Sequence, residues 1–447
     1  MNFITDYKLE KYILDTKWED LPEEVQIRAR VCTLDLIMAL ILGSHGRQFK
    51  AGKEVARMLY KGGDSPVVGI KETFSVMGAV VAMSHASNSF DIDDGHVLIC
   101  GHPGTSFIAG LMAAALDKNI DYKEFLTTMV VAYDTAVRNG LAAQKHYNYL
   151  HSTGAYGAVA TCAAMGRIFG MNYKELNNAI SIADFHAPLT PVMRSVEYPS
   201  MNKDGVPFGA LVGAMAVYET LAGATGKKHI LELDECNHYL DTLGDVYECM
   251  NIYFKPYTSC RWAHQPIAAV IDLKNTYNIE HVDVEFIKVH TYKAAARLSK
   301  IVPKTTDEAQ YNIAYPVAAA MVHGDVGYEQ VVEEALDDSR VLDMMKRLSF
   351  VVDPAMEEGF PAKRLAWVEV GLKNGEMLKS SVYATDGEAG DNIGKEWISK
   401  KFKRITRLFI APDAQERLIK LFLEGELNTP TKVLVEEVNN SINSINK

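Results

Sequence analysis

A mainly helical protein with a smaller α+β part is the fold class this sequence predicts, and three observations lead to it. Apolar residues recur at helical spacing from the N-terminus to about residue 265, the helical runs are rich in Ala and Gly, and past residue 280 the period drops to near two. At 447 residues the chain has room for two or three domains and a large core.

The first long helix opens at Leu21-Pro22-Glu23-Glu24 and ends near Gly43, with Pro and acids early and Gly late, as helix ends prefer. Similar helices are expected over 74–88, 105–117, 123–140, 153–169, 173–184 and 207–222. The 153–169 run carries Gly154, Gly157, Ala158, Ala160, Ala163 and Ala164, small residues that let helices approach closely, so this part reads as a compact helical body. Residues 282–290 and 366–372 alternate as strands do, and Lys373-Asn374-Gly375-Glu376 predicts a hairpin into 377–383. Helices are expected near 313–324, 328–336 and 339–347, and again at 393–402 and 414–423. The expected division is a helical domain of residues 1–267 with 391–447, and an α+β domain of 268–390.

Composition narrows the function. A hydrophobic content of 48% with 23% charged residues is ordinary for a globular protein. A formal charge of −11 speaks against nucleic acid, whose partners cluster Lys and Arg, yet leaves an anionic substrate open because a pocket's local field can oppose the net charge. The six cysteines show no framework spacing, which predicts reduced thiols and a cytoplasmic protein. The start, MNFITDYKLEKYILD, lacks a continuous apolar run, so no secretory signal is expected. The longest strongly apolar stretch, 36–42, falls far short of the roughly 20 residues a membrane span needs.

The densest chemistry lies in Phe90-Asp91-Ile92-Asp93-Asp94-Gly95-His96, followed by His102-Pro103-Gly104. Pro103 suits a first helical turn, which puts His102 just before a helix N-terminus, where free N–H groups favour an anion. Taken alone, the run is open to three readings: a solvated turn rich in Asx hydrogen bonds, a proton-transfer site, or metal ligation through Asp and His. It lacks the spacing of an EF-hand or a zinc motif.

Four further segments stand apart from ordinary core. Leu150-His151-Ser152-Thr153-Gly154 sets His151 at a helix start, and Tyr198 to Gly205 is a polar loop carrying Lys203. Lys255-Pro256-Tyr257-Thr258-Ser259-Cys260 precedes His264 at the apparent domain boundary, and Ala309 to Val317 places Tyr315 before an Ala-rich helix. Each has a bland counterpart: a structural histidine, a solvated lysine, a buried tyrosine with its hydroxyl bonded.

Together, and in this order, these segments resemble the MmgE/PrpD family, which includes 2-methylcitrate dehydratase, cis-aconitate decarboxylase and iminodisuccinate epimerase. The D-x-D-D-x-H…H-P-[GS] stretch is similar to Asp91–Gly104, the H-x-T-G-x-x-G helix start to His151–Gly157, and the lysine loop to Met201-Asn202-Lys203. The K-x-[YF]-P-x-C-x-x-x-H segment is similar to Lys255–His264, with Pro256 and Tyr257 in exchanged order, and the S-x-x-Y helix start to Ala309–Tyr315. The N-terminal pattern from Leu21 through Asp35 to Gly43 fits as well, so the likeness spans nearly the whole chain.

The resemblance implies a helical domain built from both chain ends with an inserted α+β lid, a homodimer, and an interdomain cleft without metal or organic cofactor. It implies catalytic roles for Asp91, His102, His151, Lys203, Lys255 and Tyr315, with Gly95, His96 and His264 joining Lys203 and Lys255 in binding a small carboxylate substrate. The implied chemistry is proton transfer beside a carboxylate: a lyase removing water or CO₂ from a di- or tricarboxylate, with an epimerase of an iminodisuccinate-like acid as the alternative. A non-catalytic helical scaffold is the reading from another class. Departures from the family pattern are Gly95 where many members carry Thr, Leu150 where Trp is common, and a charged 186–205 loop containing Arg194 and Glu197.

Overall fold

Helix Glu23–Gly43 is buried along nearly its whole length, consistent with a run of apolar residues that has no polar face to offer water. The computed structural model describes residues 6–391 and 393–446 and builds the molecule around this helix. Helices Val76–Ser87, Pro103–Lys118, Tyr122–Tyr147, Gly154–Ile168 and Val206–Leu221 pack in succession to form the body. The closest of these contacts joins Gly154–Ile168 to Val206–Leu221: a Cβ added at Gly209 would stand 2.5 Å from the Gly154 carbonyl oxygen, so only glycine admits that approach.

The predicted helices appear with shifted ends; 123–140, for example, runs on as Tyr122–Tyr147. The expected 328–336 helix breaks into Tyr328–Val331 and a short turn, Glu333–Ala335, because Val332 is extended. The α+β part is a four-stranded sheet in the order Leu348–Val352, Val284–Thr291, Ala366–Leu372 and Met377–Lys379. Val284–Thr291 runs parallel to the first of these and antiparallel to Ala366–Leu372, which forms the expected hairpin with Met377–Lys379 around Gly375 at φ 90°. Mainly helical with an α+β part is therefore the observed class.

Two features position the polar residues. The tail helices Lys395–Thr406 and Pro412–Glu424 pack on Glu23–Gly43. Between the first of them and the central helix, buried Lys401 pairs with Asp35 at 2.5 Å and donates to the Ile92 carbonyl at 2.9 Å, tying the aspartate loop to the core. Helix His264–Tyr277 packs on strand Ala366–Leu372, joining the sheet to the segment that carries Lys255. Among the described residues no helix is long and apolar enough to cross a membrane, and all six cysteines are free.

Candidate active site

The loop from Ser89 to His102 folds back on itself beneath the N-terminus of helix Pro103–Lys118. Asp91 takes φ 52°, a left-handed conformation that Asp tolerates better than most residues, and this turn directs the three carboxylates to different partners. Asp94 accepts from the Gly104 amide at 3.1 Å and from the Tyr133 hydroxyl at 2.6 Å, so it satisfies free N–H at the helix start. Burial, opposed by the Tyr133 hydrogen bond and reinforced by Asp93, pushes its carboxyl up to about 7. Asp93 accepts from Asn88 at 2.9 Å and faces His102 Nδ1 at 2.9 Å; burial opposes ionisation there, but the charges of His102 and Lys255 hold the carboxyl below its usual range.

The His102 ring stands among carboxylates: Nδ1 bonds the Asp94 carbonyl at 3.0 Å and lies 2.9 Å from Asp93, while Nε2 lies 3.1 Å from Asp204 and 3.6 Å from Asp91. Burial and the nearby Lys255 oppose its protonation, yet Asp93 and Asp204 outweigh them and lift its pKa well above the usual histidine value. This balance favours the protonated form of the His102 ring. Asp204, also buried, receives a hydrogen bond from the Tyr311 hydroxyl at 3.1 Å and is held below the ordinary carboxylate range despite its desolvation. Lys255 donates to the Asp91 carboxylate at 2.8 Å and to its carbonyl at 3.0 Å; burial opposes its charge, but Asp91 and Asp93 raise its pKa.

Asp91, His102, Asp204, Lys255 and Tyr311 line one small cavity of about 30 Å³, completed by Tyr253, Arg261, Arg364 and the apolar side chains of Val192 and Val196. This space is about the share of one water molecule. Beyond the short helix Val192–Glu197 lies a larger cavity of about 460 Å³, lined among others by Ser152, Arg194, Ser195, Tyr198 and Lys203.

The other residues singled out from the sequence stand elsewhere. Lys203, at φ 46°, is fully buried rather than solvated: it donates to Gln310, lies 3.5 Å from Asp307, and sits over the Tyr311 ring. His151 packs its ring edge-on against Tyr147 and Tyr149 and is kept neutral by burial; its backbone bridges to Pro191 and so anchors the 186–205 loop. His264 bonds the Ser259 carbonyl at 2.9 Å, and burial with the neighbouring Arg261 and Lys255 pushes it well below the usual histidine value. His96 faces Glu248 at 3.7 Å, and Gly95 lies directly against Tyr253. The Tyr315 hydroxyl is committed to the carbonyls of Gln330 at 2.8 Å and Ala335 at 3.2 Å and does not reach the cavity.

Sequence reasoning missed Asp204, Tyr311, Tyr253, Arg261 and Arg364. Asp204 and Tyr311 lie inside segments it had marked, next to Lys203 and four residues before Tyr315, so the segments carried the signal and the individual residues did not. Nothing in the sequence around Lys363-Arg364 marks a buried arginine.

Asp91, Asp93 and His102 bring one donor atom each within 4.8 Å of one another, the only such group among the described residues with metal-ligand spacing. Lys255 lies 2.8 Å from Asp91 and the His102 ring 2.9 Å from Asp93, so both carboxylates of the group already face protein nitrogen atoms. The cluster sets the His102 ring among carboxylates, beside the buried ammonium of Lys255 and the guanidinium groups of Arg261 and Arg364.

Residues 7–241 match the MmgE/PrpD N-terminal domain and residues 257–425 the MmgE/PrpD C-terminal domain. The chain is 22% identical to the cis-aconitate decarboxylase-like protein oryM of Aspergillus oryzae, over 95% of each chain, and 20% identical to a cis-aconitate decarboxylase of Aspergillus terreus, over 81% of each. With both halves of the chain matched, this protein belongs to the MmgE/PrpD family.

Proposed function

We propose that the protein is a cofactor-independent lyase acting on a small di- or tricarboxylate of the 2-methylcitrate or cis-aconitate type, and that the reaction is decarboxylation. The observation that carries this reading is the buried His102 ring set 2.9 Å from Asp93 and 3.1 Å from Asp204, carboxylates that favour its protonated form. In decarboxylation the bond to the leaving carboxylate breaks, CO₂ departs, and the electron pair spreads onto a neighbouring carboxylate. Lys255 stabilises that charge in an enclosed site. The proton on His102 then forms the new C–H bond and is regained from solvent.

Dehydration and epimerisation both begin by removing a proton from carbon and need a base. Asp93 and Asp204 have depressed pKa values and are poor bases, His264 is engaged with a backbone carbonyl, and Asp94 lies behind His102 on the helix start. With Asp91 paired to Lys255, no carboxylate or imidazole lining the cavity is left as a free neutral base, which suits the reaction that generates its carbanion by losing CO₂. Residues 268–390 act in this reading as the lid over a body of 1–267 and 391–447, supported by the sheet lying inside the first range. We extend the reading to a homodimer; the exposed Phe185, Tyr198, Met201, Phe208, Met215 and Leu221 supply apolar surface for it.

Incubating the purified protein with cis-aconitate, 2-methylcitrate and iminodisuccinate in deuterated water, followed by NMR, tests the reading. CO₂ release with one deuterium placed on the product carbon is expected. Loss of water marks a dehydratase, and exchange without net cleavage marks an epimerase. No turnover and no thermal shift with any of these acids returns the scaffold reading.

A further inference from the structure

Arg364 is 4% exposed, and among the described residues it forms no ion pair. Its Nη2 donates to the Val97 carbonyl at 3.1 Å and lies 3.8 Å from Cys100 Sγ, while Nε and Nη1 have no hydrogen-bond acceptor. A buried guanidinium without a counter-charge is costly, because desolvation is not repaid. Every other cation at the cavity has a carboxylate: Lys255 has Asp91, His102 has Asp93 and Asp204, and Arg261 reaches Glu388 at 2.5 Å. Arg364 is thus the one cation at the cavity wall with no carboxylate of its own within ion-pair distance.

Its placement depends on Gly95. In the short antiparallel pair Gly95 stands opposite Tyr253, and a Cβ at 95 would lie 2.2 Å from Tyr253 Cζ, so a side chain there would displace the ring. With glycine at 95 the ring fits, and it is flanked by Arg261 at 4.9 Å and Arg364 at 5.4 Å. A guanidinium near an aromatic face keeps its charge and a fixed plane while its open N–H donors stay available.

We propose that Arg364 is a specificity-determining residue that binds a carboxylate of the substrate other than the one that reacts, an inference that rests on the lyase reading above. It makes a second carboxylate obligatory: a substrate carboxylate supplies the direct ion-pair partner that no protein carboxylate gives Arg364. Acids with a single carboxylate leave Arg364 unpaired in the closed site and are rejected.

Calorimetry with glutarate and its monoamide glutaramate, two probes of the same length that differ by one charge, tests this. Wild type is expected to prefer glutarate by about 30-fold or more, as loss of a buried charge-assisted contact demands. In Arg364→Met that ratio falls to about 1 through loss of glutarate affinity, with glutaramate changed by no more than about 2-fold, while Arg364→Lys retains part of the preference. The ligand-free Arg364→Met protein is expected to melt no lower than wild type, since an unpaired buried cation is replaced by a well-fitting apolar chain; a structural arginine would lower it. A wild type that binds both probes alike, or neither, overturns the inference, as does an Arg364→Met protein with the preference intact. If Arg364→Met does not fold, Arg364→Lys with an undiminished preference overturns it. The deuterium experiment decides the lyase reading separately, because turnover by a wild type indifferent to the second charge removes only the role of Arg364.

Discussion

His102 carries more of the chemistry than any other side chain, and its environment sets a pH dependence that can be worked out in sign. Its folded pKa lies well above the unfolded value of about 6.5. The stability it contributes is therefore complete below about pH 6.5 and is lost as pH rises through the elevated value. Asp93 and Asp204 are shifted down, so their contribution is complete above an unfolded value of about 4 and is lost as pH falls through their depressed values. The same elevation keeps His102 an acid across neutral pH. The expected rate profile stays flat through pH 7 and falls only on a clearly alkaline limb, and His102→Gln loses that limb together with a rate factor on the order of 100 or more. An alkaline fall centred near 6.5 in wild type would mean that the carboxylates do not hold the imidazolium.

At the scale of elements, the helix Val192–Glu197 is the partition between the two cavities: Val192 and Val196 face the small one, Arg194 and Ser195 the large one. At about 30 Å³ the small cavity is far smaller than a six-carbon acid, and outward movement of this helix is the expected route by which such a substrate reaches His102. Its ties are light: a Val192 amide bond to the Leu150 carbonyl, Ser195 to the Lys203 carbonyl, and a half-exposed ion pair between Arg297 and Glu197. Arg297→Ala is expected to cost less than about 1 kcal/mol of stability, as exposed pairs do. It should nevertheless speed hydrogen exchange across 192–197 and raise KM. Unchanged exchange there would show that the pair does not restrain the helix. Little of this was legible in the sequence. Helix Pro412–Glu424, with Ala414, Leu418 and Phe422 on one buried face, and the strand pair Val284–Thr291 with Ala366–Leu372 announce themselves by period, because one face of each repeats. A six-residue helix has less than two turns in which to show a period, and Leu348–Val352, a five-residue edge strand with intermediate or exposed residues throughout, shows no alternation. Site residues followed the same rule. Asp91, His102 and Lys255 sit in dense polar motifs, whereas Arg364 acts through a burial that only the fold creates.

Across the whole molecule the cavity draws on distant parts of the chain: the 91–104 loop, the 253–261 segment, Tyr311, and Arg364 just before the sheet strand Ala366–Leu372. The contribution from beyond residue 280 comes through Tyr311, Gln310 and Arg364, while Tyr315 binds its own neighbourhood by hydrogen bonds to Gln330 and Ala335. A site shared in this way is complete only when its parts are together, and an anion bridging Lys255 and Arg364 adds contacts to all of them at once. Hydrogen exchange with and without tricarballylate, an unreactive tricarboxylate, should therefore show protection in the 91–104 loop, at 309–312 and at 363–366 together. The 328–336 segment that holds the Tyr315 hydroxyl should respond little, since its bonds are made without ligand. Protection limited to the 91–104 loop would place the substrate on the helical body alone, and protection strongest at 328–336 would restore Tyr315 as the residue that senses the ligand.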